Sequence, residues 1–108
     1  MTTTTTTTTT IAARGLTAPA ILDTAKVGDR VRSFDWKGSS DCVEGIVTEV
    51  ADHGAGCFRY TIAVDTIWES EFPGGDATVR DYVNTKHNAT RYVQPFNRRE
   101  SDFVNLSK

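Results

Sequence analysis

Cysteine and histidine are scarce in this sequence, two of each in 108 residues, and their scatter removes most of the chemistry they usually carry. Cys42, Cys57, His53 and His87 show none of the paired spacings of a zinc site. A site built from Asp52, His53 and His87 requires His87 to fold back onto a distant turn, so neither a metal nor another cofactor is expected. Also missing are a P-loop, a dinucleotide-binding glycine fingerprint and a Gly-x-Ser-x-Gly elbow. The arrangement nearest to an activated nucleophile is Cys57 beside His53, with Asp52 to orient the ring. Cysteine and histidine beside a turn arise easily by chance, and the chain reads as non-catalytic, with no small-molecule substrate evident.

Long apolar runs are absent as well. No stretch approaches the roughly 18 residues that cross a bilayer, and residues 1–22 hold no continuous apolar core of the kind an export signal carries. A soluble, intracellular protein with no membrane partner is expected. The sequons Asn88-Ala89-Thr90 and Asn105-Leu106-Ser107 then read as chance. A basic excess is missing too: twelve Lys and Arg stand against fourteen Asp and Glu, a formal net charge of -2. Dedicated nucleic-acid binders normally carry a basic domain.

What is present is strand pattern. Phe58, Tyr60, Ile62 and Val64 alternate with Arg59, Thr61 and Ala63, the period of a strand with one face in a core. Arg30 to Trp36 and Cys42 to Val50 read as two further strands, joined by the polar loop Lys37-Gly38-Ser39-Ser40-Asp41. Gly45 lies inside the second, where a missing side chain permits a bulge, a bend or a close backbone contact. Past Trp68, the segment Glu69 to Asp76 is a turn marked by Pro73, Gly74 and Gly75. Ala77 to Val83 gives a fourth strand and Arg91 to Val93 a short fifth. Glu100 to Leu106 reads as a helical turn or a loose end. If Cys42–Val50 pairs with Cys57–Trp68, Val50 faces Cys57 and Cys42 faces Val64 to Thr66. The two thiols are then ~20 Å apart at ~3.3 Å per residue, beyond disulfide reach, and are expected free.

Five short strands with tight connections and almost no helical periodicity point to an all-β fold, a small antiparallel barrel of the SH3-like kind. It occupies residues 23–97, after a Thr/Ala-rich arm over 1–22 and before a coda over 98–108. Val27-Gly28-Asp29-Arg30-Val31 with Gly45-Ile46-Val47 resembles the start of many SH3-like and Tudor-like barrels. The longer string Lys26 to Trp36, with Val43 to Val47 and Arg59 to Val64, also resembles a group of small bacteriophage proteins of uncharacterised function. That resemblance implies a phage origin and a place in the host cytoplasm, and it implies no activity.

Thr2 to Thr10 are nine consecutive threonines. Such a tract offers no apolar face and is expected to be an extended, flexible arm. It reads as a drifted tail, an assembly arm, a glycosylated stalk or a transit peptide.

Binding is the better class. Phe34, Trp36, Trp68 and Phe72, at or near strand ends, with Glu69 and Glu71 from the acidic stretch Asp65 to Asp81, form the candidate protein-binding surface, since aromatics at such positions either cap a core or anchor a partner. An accessory protein engaging a host or phage protein is the leading reading. A minor component of a phage particle, virion-borne and held by its arm, is the alternative; the partner is another protein or a second copy of the chain. A third is weak single-stranded nucleic-acid binding by Lys86, Arg91, Tyr92, Arg98 and Arg99, basic and aromatic residues interleaved.

Overall fold

The computed structural model describes residues 10–15, 17–35, 37–72, 74–79, 90–94 and 102–108. The run Thr2–Thr9, Trp36, Lys86, Arg98, Arg99 and the continuation of the expected fourth strand to Val83 lie outside them. The described chain is all-β. Its strands are β1 (Thr10–Ile11), β2 (Arg30–Phe34), β3 (Cys42–Asp52), β4 (Phe58–Ser70), β5 (Ala77–Val79), β6 (Thr90–Val93) and β7 (Phe103–Asn105). They form one antiparallel curled sheet in the order β1-β5-β4-β3-β2-β7, with β6 added to the first half of β4.

Two of these strands fall outside the expected barrel limits. β1 belongs to the predicted arm, and β7 lies where a helical turn or loose end was expected. Phe103 explains the second: its side chain is fully buried, stacked on Tyr60 with ring centroids 4.7 Å apart. A strand paired with β2 delivers it there. The other edge of β7 is taken by Ile21–Asp23, through Phe103 N–H to the Ile21 carbonyl at 2.7 Å and Asp23 N–H to the Phe103 carbonyl at 2.9 Å.

The register of the long β3/β4 hairpin departs from the simple expectation. Val50 faces Tyr60 rather than Cys57, and Cys42 faces Trp68 rather than Val64 to Thr66. The tight turn between Asp52 and Phe58 sets this offset. Asp52 Oδ1 accepts from Gly54 N–H at 2.8 Å, and Gly54, Ala55 and Gly56 all adopt left-handed backbone. Both cysteines are free, as expected.

Two bulges then decide which residues face inward. Thr48 is the extra residue on β3 and Asp65 the extra residue on β4, so the ladder slips by one and slips back. Before Asp65, Tyr60, Ile62 and Val64 face the concave core with Val31, Val47, Val93 and Phe103. After it, Ile67 packs on that core and Trp68 turns to the other face. There a second cluster forms from Phe34, Cys42, Trp68 and Ala77, with Ile11 and Val104 packed against it. Gly45 sits at the second slip, where a Cβ would overlap the Ala63 carbonyl. Of the roles expected for this glycine, it fills both the bulge and the close backbone contact.

Candidate functional site

Alternation along β2 places Arg30, Arg32 and Phe34 on the face of the second cluster, opposite Val31 and Ser33. Across the ladder stand Glu44 and Cys42, and beyond them Thr66 and Trp68. Glu44 is 6% exposed and is the centre of a polar network. Its Oε2 accepts from Arg30 Nε at 2.6 Å, and its Oε1 from Arg32 Nε at 2.7 Å and from Trp68 Nε1 at 2.9 Å. The Arg32 guanidinium lies 4.9 Å from the Trp68 ring centroid. Arg30 makes a second, two-pronged contact with Asp65, at 2.9 and 2.8 Å. The bulge therefore supplies the carboxylate that pairs with Arg30.

Burial by itself raises the Glu44 carboxyl, but hydrogen bonds from Arg32, Trp68 and Arg30 outweigh it and hold the group below its ordinary value. The Arg30 contacts lower Asp65 in the same way. Burial pushes the Cys42 thiol up to about 12. Both oxygens of Glu44 and of Asp65 are engaged by these side chains, so the network is a cross-brace of the sheet. Sequence reasoning missed it. Its signal was two arginines two residues apart on one strand with a glutamate in the next, which places three charges on one face.

The predicted protein-binding residues divide. Phe34 and Trp68 are buried in the second cluster, 8% and 4% exposed, and core capping is what they do. As exposed anchors they are withdrawn. Phe72 is 64% exposed, and Glu69 and Glu71 are exposed with it at the end of β4. Phe72 and Glu71 line an open groove of about 440 Å³ with Gly74, Gly75, Asp76 and Thr78. A second groove of about 440 Å³ crosses the neighbouring strand ends, lined by Asp35, Asp41, Glu69 and Arg91 above Val43, Ile67 and Trp68. Both grooves flank the β4–β5 turn and both carry carboxylates.

The predicted nucleic-acid residues are not brought together among the described residues. Arg91 pairs with Ile62 of the inward row and reaches the second groove. Tyr92 pairs with Thr61 and projects from the opposite face of the strand, where Arg59 lies 5.6 Å from its ring centroid. Neighbours on a strand point to opposite faces, so Arg91 and Tyr92 do not share one.

No hydrogen bond joins the His53 ring to the Cys57 thiol; the turn is held by His53 N–H to the Cys57 carbonyl at 2.8 Å. Among the described residues no group of three or more His, Cys, Asp or Glu is placed to hold a metal ion, and no helix is long and apolar enough to cross a membrane. Asn105, the acceptor of the second sequon, is buried, and its amide donates to the Thr24 carbonyl at 3.0 Å and to Asp29 Oδ2 at 2.9 Å. Comparison of the chain with protein-family models, curated proteins and solved structures gave no match.

Proposed function

We propose that this chain is a non-catalytic binding protein that engages a protein partner through the β4–β5 turn, and that it is phage-encoded, as its resemblance to small phage proteins implies. The observation that carries the reading is Phe72, an aromatic side chain left 64% exposed between Glu71 and Asp76 at the rim of an open groove. An aromatic ring that gives up its hydrophobic contribution in the free protein recovers it when a partner covers it. Flanking carboxylates select a partner whose contact surface is basic around an apolar centre. Glu69 and Glu71 from the predicted set belong to this surface, and host cytoplasm is the setting the reading implies.

The test is affinity capture from the producing cell with the wild-type chain, Phe72→Ser and Glu71→Lys as baits, followed by calorimetry on the purified prey. A prey bound by wild type and weakened about 10-fold or more by Phe72→Ser supports the reading. A prey held equally by all three chains removes it.

A second reading is favoured by β1. The threonine run leads into Thr10, which enters the sheet at its edge opposite Thr78, and an arm leaving from a sheet edge suits a particle component reaching over its neighbours. Loss of incorporation on deleting residues 1–10, with the barrel still folded, is the result this reading requires.

A further inference from the structure

Residues 10–15 lie on the barrel as an extended peptide lies in a binding groove. Thr10 and Ile11 add to the edge of β5, opposite Thr78 and Ala77. Ile11 packs on the second cluster, beside Ala77. Ala13 N–H donates to Asp76 Oδ1 at 3.4 Å and Arg14 N–H to the Gly38 carbonyl at 3.1 Å. The Arg14 guanidinium pairs with Asp102, whose side chain is 1% exposed and also accepts from Ile21 N–H at 2.7 Å and Gly38 N–H at 3.0 Å. Gly38 has no side chain because a Cβ there would overlap the Gly15 carbonyl. These features read successive residues of the arm: a strand edge, an apolar cluster for Ile11, a buried carboxylate for Arg14 and a glycine floor under Gly15.

The grip changes abruptly after that. From Ile21 onward the chain is fixed to β7 on both sides of Leu22. Between these anchors lie Gly15, in left-handed backbone, and Pro19, with no strand pairing among the described residues; a turn hydrogen bond from Ala18 N–H to the Gly15 carbonyl at 3.3 Å and one from the Arg14 guanidinium to the Pro19 carbonyl at 3.1 Å hold this connection. The arm is thus a ligand tethered by a short turn.

We propose that this seat is an interface between copies, in which the Thr10–Gly15 arm of one chain occupies the seat of another. The occupant follows from Asp102. A carboxylate this buried tolerates loss of its guanidinium poorly, so the seat releases its own Arg14 only when an equivalent arginine replaces it. A second copy carries that arginine at the same distance from a strand-forming Thr-Ile pair and makes the same contacts. Exchange of an identical element needs no new surface. The inference rests on the assembly reading of the arm, yet it asks only for two copies in solution.

The experiment uses two full-length variants in a Cys57→Ser background, one with Thr10→Cys and one with Thr78→Cys. These positions face each other across the ladder, within the Cα separation a disulfide spans. The two chains are mixed, incubated, oxidised and analysed without reductant. A covalent heterodimer, above the homodimer that either variant gives alone, is expected. It should fall to that background with Asp102→Asn on the Thr78→Cys chain. Arg14→Ala on the Thr10→Cys chain gives the same readout from the arm, without disturbing Gly38 or Ile21. A heterodimer indifferent to Arg14→Ala overturns the recognition by Asp102. A single chain carrying both cysteines that closes internally, with no heterodimer in the mixture, overturns the exchange. Failure of that chain to close overturns the seat itself. Cross-copy linkage that persists while particle incorporation does not depend on residues 1–10 removes the particle and leaves the exchange.

Discussion

Replacing Glu44 by glutamine tests the cross-brace most directly. The substitution keeps the side-chain shape and one acceptor oxygen but removes the charge and points an amide donor at one of two arginine donors. Arg30 retains Asp65, whereas Arg32, 18% exposed at its side chain, loses the carboxylate it pairs with. Breaking a fully buried pair costs ~3–5 kcal/mol, and the partial exposure of both guanidiniums lowers this to about 2–3 kcal/mol. For a chain of this size that corresponds to a melting temperature lower by on the order of 10–15 °C. Urea denaturation followed by tryptophan fluorescence measures it, with exposed Glu49→Gln as the control. The sign of the pH dependence follows from the depressed carboxyl. Its contribution is present above the ordinary value of 4.5 and is lost as pH falls through the lower folded value. Wild type should therefore lose stability below about pH 4.5 more steeply than Glu44→Gln. A midpoint shift worth less than ~0.5 kcal/mol, the range of ordinary surface changes, or parallel pH profiles for the two proteins, would refute the reasoning.

Gly45→Ala places a methyl group on the Ala63 carbonyl, so the β3/β4 ladder must part locally; a loss of about 1–3 kcal/mol is expected, read by thermal denaturation. The thiols should separate kinetically. Cys42 is 2% exposed with its pKa pushed up to about 12, while Cys57 is half-buried in the turn region. A thiol reagent at pH 8 should modify one group in the native chain and the second only on unfolding. Equal rates for both would contradict the burial of Cys42. Phe103→Ala removes a fully buried ring that joins β7 to the concave core. It should cost ~3–5 kcal/mol by urea denaturation, whereas Phe72→Ser should stay within ~0.5 kcal/mol of wild type.

The alternation of β4 and the turn residues around Gly54 were legible because each depends on neighbours in sequence. The start of the acidic stretch was legible only as composition. Asp65 belongs to it by sequence, but its carboxylate is committed to Arg30, while Glu71 stays on the surface beside Phe72. Trp68 and Phe72 looked alike as aromatics near the end of one strand, and they end in opposite environments.

The sequence by itself determined an all-β chain, the approximate limits of its central strands and the free cysteines, and it marked Gly45 as a place for a bulge, a bend or a close backbone contact. Period-two patterning, turn chemistry and strand length are local properties, and they survive without knowledge of partners. Only the tertiary structure decided the rest. A bulge at Asp65 reversed the sense of β4 so that Trp68 entered a second cluster. The return of β7 brought Phe103 into the core. The burial of Asp102 fixed the arm to the barrel across 88 residues of sequence. Each of these depends on which strand lies beside which, and pairing partners far apart in sequence leave no periodicity to read.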